Sequence, residues 1–306
     1  MGRQRRSGNR PVTRNLSSPP HPDKGCALHV KLWGTRGSVP SPTSATTRYG
    51  GNTPCVSVRA ADGKLLILDA GIGLHWLGGE LLGNGFAEDG EAHVLITHTH
   101  WAHIQGLPFF QPMLIAACNI HLYGDGGDTP FREVLLRQME HAYCPVPNFF
   151  EDHIGATLTT TQLNESSFRI GATTITPRRV NHTPGVPTHG FRLDNGNSSL
   201  AYIPDVEYLD DTHRRPALEL ADGVDLLIHD AHHTSAEYES RRGCGHCSDD
   251  IAVELAREAR VGKILLFHHH PDHDDDVIDG VVSRYANSGF TVEGAAERTE
   301  HILDSS

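Results

Sequence analysis

The segment LITHTHWAHIQGLPFF, residues 95–110, contains three histidines whose spacing could do metal chemistry. His98 and His100 follow an apolar stretch that reads as a strand, and on an extended segment two such side chains share one face. His103 follows after the turn. Imidazole nitrogens grouped in this way are typical of sites for Zn²⁺, and also for Mn²⁺ or Fe at higher coordination. The segment therefore predicts part of a metal site.

Side chains of metal-ligand type recur where other apolar segments end. They are His182 after RRV, Asp205 after AYIP, His229 and Asp230 in LLIHD, and His268 after ILLF. A lone histidine of this kind would be read as a structural residue, but this repetition favours a metal centre. Strand ends are rigid, so ligands from several strands can converge on one point.

The elements that must position these residues are short strands alternating with a few helices. The strand-like segments are ALHVKLWG, CVSVRA, KLLILDAG, HVLITH, TTITPRRV, SSLAYIPD, DLLIHDA and KILLFHHH. TPFREVLLRQMEHA has apolar residues at helical spacing. Ser248 is expected to cap a second helix running through Arg260, with Asp249 and Asp250 favouring its N-terminus. This alternation predicts an α/β fold in which helices cover sheets.

Charge divides the 306 residues into two parts. Six basic residues and one acidic residue among residues 1–24 give that segment a net charge of +5, which leaves −17 of the total −12 on the remainder. We predict a disordered basic tail over residues 1–26 and one folded domain over residues 27–306. Long nucleic acid is an unfavourable partner for so acidic a domain, whereas a small anion neutralised by metal is acceptable.

The chain has no apolar run of membrane-spanning length, and its first residues lack the apolar core of a secretory signal. These features predict a protein that does not enter a membrane. Six scattered cysteines predict reduced thiols and a cytoplasmic location. The CxxC spacing of Cys244 and Cys247 leaves a redox disulfide open as an alternative.

Removing residues 1–25 is expected to leave the melting temperature of the protein unchanged. The segment is rich in Arg, Pro, Ser and Gly and has little apolar surface to bury. Thermal unfolding of the full and shortened chains tests this, and a drop of more than a few degrees would show that the tail docks on the domain.

The chain resembles the metallo-β-lactamase-fold hydrolases, in the branch of ribonuclease Z-like, cyclic-nucleotide and phosphonate-pathway phosphodiesterases. The resemblance runs from Leu28 to about Asp276. It rests on the motifs GTRGSVPSP, YGGNTPCV, LILDAGIG, THTHWAHIQGLPFF, LRQMEHAYCPV, NHTPG, IPDVEY, IHDAHHT, GHCS and LFHHHPDH. It implies a single-domain αββα sandwich.

The resemblance also implies two divalent metal ions, Zn²⁺ or Mn²⁺, that activate hydroxide to attack a phosphodiester. The implied ligands are His98, His100 and His182 for one ion and His103 and His268 for the other, with Asp205 bridging them. In HHHP, where the family commonly reads HHDP, His269 and His270 remain open as alternatives to His268.

Several residues outside this ligand set receive expected roles. The resemblance implies that His246 protonates the leaving oxygen, and His189 and His233 are weaker candidates for substrate contact. Asp69 is expected to fix the tautomer of a ligand histidine, with a turn carboxylate as the alternative. Gly50, Gly51 and Asn52 are expected to form turns.

Ala102 departs from the family motif H-x-H-x-D-H, in which the aspartate ligates the second metal and orients the attacking hydroxide. The position of this catalytic aspartate therefore carries a methyl group, which is expected to weaken the second metal site and impair turnover. Because the surrounding motifs are intact, we favour a recent or deliberate exchange in an active scaffold over a naturally adapted site.

The sequence predicts a metal-dependent phosphodiesterase for small substrates resembling cyclic nucleotides, and the resemblance implies a homodimer. Three alternatives remain open. A tRNA-processing ribonuclease is disfavoured by the acidic charge. A thioester or lactone hydrolase is compatible with the same fold. A non-catalytic metal- and ligand-binding sensor is the alternative from a different functional class.

Overall fold

Fourteen strands lie in the part of the chain that this computed structural model describes, residues 26–146, 148, 150 and 155–304. They form two seven-stranded sheets. All but one residue of the tail predicted over residues 1–26 lies outside the described residues, so the proposed boundary stays a prediction.

The first sheet combines antiparallel and parallel pairs. Its strands are β1 (Cys26–Gly34), β2 (Cys55–Ala60), β3 (Leu65–Leu68), β4 (Glu91–Leu95), β5 (Asn119–Gly124), β6 (Thr157–Gln162) and β14 (Glu300–Asp304). Their order is β14-β1-β2-β3-β4-β5-β6, and the pairs from β3 to β6 are parallel. The last strand of the chain thus closes the edge beside the first.

The second sheet has the same composition of pairs. Its strands are β7 (Phe168–Ile170), β8 (Thr173–Arg179), β9 (His189–Asn195), β10 (Ser198–Ile203), β11 (Leu226–Asp230), β12 (Lys263–Phe267) and β13 (Thr291–Gly294). Their order is β13-β12-β11-β10-β9-β8-β7, with parallel pairs from β10 to β13. The interior strand β11, parallel to both of its neighbours, is buried throughout, as expected for a parallel strand covered on both faces.

Helices cover the outer faces of the two sheets. On the first sheet these are α1 (Gly73–Gly83), the single turn α2 (Trp101–Ile104) and α3 (Phe131–Gln138). On the second they are α4 (Asp211–Ala221), α5 (Ser235–Arg241), α6 (Asp249–Glu258) and α7 (Asp275–Ser283). The predicted αββα sandwich in a single domain is confirmed.

Three apolar layers hold the sandwich together. In β2, Val56 and Val58 point into the layer between the sheets, whereas Cys55 points into the layer beneath α1. This alternation has the two-residue period of a strand with both faces buried. The third layer lies beneath α4 and α6. The rigid layers fix the strand ends from which the candidate ligands project.

The helix expected after Ser248 begins where predicted, at Asp249, but ends before Arg260. Ser248 occupies the N-cap position, but its hydroxyl donates to the Asp250 carboxylate and makes no cap hydrogen bond with the described backbone. The helix ends at Glu258, because Arg260 adopts a left-handed φ of 57° that cannot continue it. The turn expected at Gly50 is confirmed by a φ of 96°.

Candidate metal centre

One buried carboxylate, that of Asp205, lies among histidines drawn from both sheets. Its Oδ1 atom is 3.2 Å from Nε2 of His103 and 3.3 Å from Nε2 of His268. Its Oδ2 atom is 3.7 Å from Nε2 of His98 and 3.6 Å from Nε2 of His182. The two carboxylate oxygens therefore face two different pairs of imidazoles.

The Oδ2 side of Asp205 holds a group of three histidines. One ligand atom from each of His98, His100 and His182 lies within 4.8 Å of the other two. Nε2 of His182 is 3.1 Å from Nδ1 of His100, and its own Nδ1 hydrogen-bonds to the Gly245 carbonyl oxygen at 2.6 Å. Three residues on two chain segments thus present nitrogens to one small volume.

The arrangement fits a divalent cation. Nε2 of His98 and both ring nitrogens of His268 are buried without a properly oriented hydrogen-bond partner among the described residues. Burial lowers the pKa of these two rings well below the usual range and that of His100 to about 4. The rings are therefore neutral, with lone pairs free to bind metal, and a shared cation would offset the cost of unpaired buried nitrogens.

The electrostatic field around Asp205 favours positive charge. Burial acts to raise the pKa of its carboxyl, but neighbouring histidines, His103 foremost, hold that pKa well below its usual range. Burial acts to lower the pKa of His103, yet the carboxylates of Asp205 and Asp69 raise it to about 10. The same two carboxylates would attract a metal cation.

Asp69, at the end of β3, supports the centre from behind. Its fully buried carboxylate accepts hydrogen bonds from Nδ1 of His103 at 2.8 Å and from the Tyr202 hydroxyl at 2.9 Å. The backbone N–H and hydroxyl of Thr97 also donate to it. These contacts hold Nδ1 of His103 as the donor and direct Nε2 towards Asp205, which is the positioning role expected for Asp69.

The substitution Asp69→Asn is expected to lower the free energy of unfolding by about 2–3 kcal/mol, because it removes a buried anionic acceptor and places an amide donor opposite other donors. Asparagine tolerates the left-handed φ of 58° at this position, so backbone strain adds little. The matched control Tyr202→Phe removes one donor and should cost about 1 kcal/mol. Urea unfolding measures both, and a loss for Asp69→Asn no larger than the control would contradict this account.

His246 lies beside the centre and is held by a carboxylate. Its Nδ1 is 2.8 Å from Oδ2 of Asp230, and its ring centroid lies 4.9 Å from that of His182 and 5.0 Å from that of His268. Burial acts to lower the pKa of His246, but Asp230 raises it. The ring is therefore placed as a proton donor would be, and Asp230 favours its protonated form.

The loop that carries His246 depends on a buried glutamate. Glu207 accepts hydrogen bonds from the backbone N–H groups of Gly243 and Gly245 at 2.7 and 2.8 Å. Gly245 has a φ of 89°, and a Cβ atom there would lie 2.7 Å from Nδ1 of His182. Because only glycine lets the backbone come this close to His182, the loop can hold His182 through the Gly245 carbonyl oxygen. His246 follows directly on the same loop.

The structure places the other predicted histidines away from Asp205. His229 is buried with Nε2 on the Tyr208 hydroxyl and Nδ1 on a backbone carbonyl. His269 contacts the Ala295 carbonyl oxygen through Nε2, and His270 packs against His273. Of the three consecutive histidines, His268 is thus the one that faces the centre.

Of three further histidines, His189 and His233 were expected as candidates for substrate contact, whereas His232 was not singled out. His232, with Nδ1 on the His268 carbonyl oxygen, stacks on the His246 ring at 4.3 Å. His233 lies farther from His246, with ring centroids 6.2 Å apart. His189 is buried at the start of β9 with its Nε2 4.0 Å from Asp125. A run of polar residues after a strand was the available signal for His232.

Ala102 lies on α2 between Trp101 and His103 and is 4 % exposed. The backbone N–H of His103 donates to the His100 carbonyl oxygen, so this turn fixes two candidate ligands around the alanine. The methyl group adds no metal-binding atom.

Comparison with known proteins identifies the family of the chain. Residues 66–269, two thirds of the chain, match the family described as β-lactamase superfamily domain. The chain belongs to the β-lactamase superfamily. A ribonuclease Z from Exiguobacterium sp. is 25 % identical to the chain over 246 residues. That match covers 64 % of this chain and 77 % of the ribonuclease.

Solved structures show the same superfamily fold. The metallo-β-lactamase fold protein YhfI from Bacillus subtilis superposes with a TM-score of 0.66 at 19 % identity, covering 90 % of this chain and 99 % of that one. A diphosphatase from the PhnP family superposes with a TM-score of 0.65 at 17 % identity over the same shares. At these identities the similarity establishes the fold.

Cys244 is exposed and Cys247 is buried, and both are free thiols, so the disulfide left open by their spacing is not formed. Within the described ranges, no helix has both the length and the apolar character needed to cross a bilayer.

Proposed function

We propose that this member of the β-lactamase superfamily is a metal-dependent phosphodiesterase for small phosphodiesters. The observation that carries the proposal is that the two carboxylate oxygens of Asp205 face two separate groups of imidazoles. The proposed ligands are His98, His100 and His182 for one ion and His103 and His268 for the other, with Asp205 shared.

The proposed metal ions and the groups that orient their ligands would have different roles. Bound divalent ions would supply Lewis acidity towards the phosphoryl oxygens and a nucleophile at neutral pH. Asp69 holds His103 in the tautomer that presents Nε2, and the Gly245 carbonyl does the same for His182. His98, His103, Asp205 and His268 are buried, and the low dielectric of a buried site strengthens the electrostatic interactions of these groups.

His246 is the proposed proton donor to the leaving oxygen. Asp230 orients the ring through Nδ1, so Nε2 is the nitrogen that carries the transferable proton. An alkoxide is a poor leaving group, and a proton delivered in the transition state removes that difficulty. The neighbouring His232 ring limits the rotation of His246 by stacking on it.

Substrate size is inferred from charge. The net charge of −17 over residues 25–306 opposes binding of a long polyanion, whereas a small phosphodiester presents only one negative charge for the metal ions to neutralise. The relative named ribonuclease Z supports a phosphodiester as the scissile group and keeps RNA as the competing substrate. We also propose a homodimer, from the family resemblance, and a cytoplasmic location, from the few scattered cysteines.

The proposed effect of Ala102 is a weaker second metal site and slower turnover. A methyl group supplies no ligand where the family motif has a carboxylate, so His103, His268 and Asp205 alone would hold the second ion. Capture of the substrate depends less on this position, because the first group of ligands is complete.

A substrate panel tests the proposed class. The protein, loaded with Zn²⁺ or Mn²⁺, would be assayed against a cyclic nucleotide, a tRNA precursor, a thioester and a lactone. We expect cleavage of the cyclic nucleotide at the highest kcat/KM. Preference for the tRNA precursor would replace the small-substrate proposal, and cleavage of only the thioester or lactone would replace the phosphodiesterase proposal. Binding of a phosphodiester without cleavage, by this chain and by its Ala102→Asp variant, would favour a non-catalytic sensor.

A further inference from the structure

A second group of metal-ligand side chains lies at the opposite end of β4 from the candidate centre. Glu91 is the first residue of β4, and His93 follows two residues later on the same face. His121 lies directly beside His93 on the neighbouring parallel strand β5. The rings of the two histidines stack with centroids 4.7 Å apart and an angle of 17° between their planes. Strand register therefore fixes these two imidazoles side by side.

In each ring, Nδ1 contacts a hydroxyl group and Nε2 faces the Glu91 carboxylate. Nδ1 of His93 hydrogen-bonds to the Tyr123 hydroxyl at 3.2 Å, and Nδ1 of His121 to the Thr159 hydroxyl at 2.7 Å. Both Nε2 atoms face Oε1 of Glu91, at 3.6 and 3.3 Å respectively. Histidines that bind metal show this division, with one nitrogen held by a hydrogen bond and the other free for the ion.

The unpaired nitrogen of His93 points to a missing ligand. The residue is 7 % exposed, and its Nε2 is buried without a hydrogen-bond partner in the described part of the chain. Burial and the neighbouring His121 lower the pKa of His93 to about 4, so its ring is neutral near pH 7. A neutral ring with a buried, free lone pair is a costly arrangement unless something binds that lone pair.

Glu91 is also held as a metal-binding carboxylate would be. Lys64 forms an ion pair with its Oε2 atom, which leaves Oε1 directed at the two imidazoles. One ligand atom from each of Glu91, His93 and His121 lies within 4.8 Å of the other two. In a tetrahedral zinc site the ligand atoms are about 3.3 Å apart, so small side-chain movements would close the set.

We propose that Glu91, His93 and His121 form an accessory site for a borderline divalent cation such as Zn²⁺, Co²⁺, Ni²⁺ or Cu²⁺. Two imidazoles and one carboxylate form a ligand set known for zinc, and the partial exposure of Glu91 and His121 leaves a coordination position for water. The ion would join the amino-terminal ends of β4 and β5. Mg²⁺ and Ca²⁺ prefer all-oxygen ligand sets and are disfavoured by the two imidazoles.

Zinc stoichiometry measured by equilibrium dialysis tests the site. The unaltered chain would be compared with His121→Ala, with Glu91→Gln and with the control His141→Ala, which removes an exposed histidine outside the cluster. We expect His121→Ala and Glu91→Gln each to bind one zinc equivalent fewer than the unaltered chain, whereas the control binds the same number. Zinc should also raise the melting temperature of the unaltered chain more than that of His121→Ala.

Equal zinc stoichiometry in the unaltered chain and His121→Ala would overturn the proposal. An equal loss in the control would do the same, since it would show non-specific binding by exposed histidines. The comparison does not depend on the candidate centre at Asp205, because every variant keeps that centre intact. Circular dichroism of the variants would establish that a lost equivalent does not come from unfolding.

Discussion

Replacing Ala102 with aspartate is expected to raise kcat for a phosphodiester by at least ~10²-fold. The aspartate would add a ligand beside His103 and orient the attacking hydroxide, and misplacing a reacting group by about 1 Å can cost around 10²-fold in rate. Affinity for an uncleaved substrate analogue should change by less than ~10-fold, because the remaining ligands are enough for capture of the substrate. Steady-state kinetics and analogue binding on both forms measure the two quantities.

Ala102→Asn is the matched control for this experiment. It adds a side chain of the same size as aspartate to a position that is only 4 % exposed, but it adds no negative charge. The asparagine form should remain close to the alanine form in kcat. If the alanine form already turns over within a few-fold of the aspartate form, the site uses another group to orient the nucleophile.

Removing His246 in the Ala102→Asp background should slow the cleavage of alkyl phosphodiesters by roughly 10²–10⁴-fold, the usual contribution of general acid catalysis. Aryl phosphodiesters should lose far less, because an aryloxide leaves without a proton. The ratio of the two rates in His246→Ala therefore separates proton donation from a structural role. Steady-state rates on a matched pair of substrates provide the measurement.

Asp230→Asn tests whether the carboxylate positions His246. The 2.8 Å contact to Nδ1 predicts a smaller loss than in His246→Ala, with the same preference for aryl substrates. Equal losses on alkyl and aryl substrates for His246→Ala would identify His246 as a structural residue.

The strand ends at the candidate centre were predictable because apolar runs mark buried strands and their polar successors are visible in sequence. His98, His182, Asp205 and His268 are all found in this way, and the structure brings them together. His229 carries the same signal but lies apart, since it belongs to β11 itself and bonds the Tyr208 hydroxyl. Sequence pattern alone does not distinguish the last residues of a strand from those just beyond it.

Other features depend on contacts between distant segments. Asp69 and Tyr202 are 133 residues apart and meet only because the two sheets pack face to face. The strand β9 begins with HGF and mixes polar with apolar residues, so its sequence only weakly predicts a strand. The helix α4 contains Pro216, which normally argues against a helix, yet Asp210 caps its first turn through two backbone N–H groups. Pairing with β8 and β10 forms the strand β9, and the Asp210 cap supports α4, although their local sequences do not favour these elements.

The side chains of His268, His269 and His270 point in different directions. The sequence alone did not show which of the three faces the candidate centre. His268 adopts a left-handed φ of 60°, a conformation that costs a non-glycine residue about 1–2 kcal/mol. That backbone turn directs His268 towards Asp205 and His269 towards the Ala295 carbonyl oxygen. Strain of this kind is common at functional sites and leaves no signature in sequence.

Metal-dependent hydrolysis tests the central claim most directly. The Ala102→Asp protein would be stripped with a chelator and assayed on a chromogenic aryl phosphodiester before and after the return of Zn²⁺ or Mn²⁺. We predict no turnover by the stripped protein, full recovery on adding metal, and loss of that recovery when Asp205 is also replaced with asparagine. Failure of the reloaded protein to cleave any phosphodiester, or equal cleavage with and without metal, would contradict the assignment of these residues to a hydrolytic metal centre.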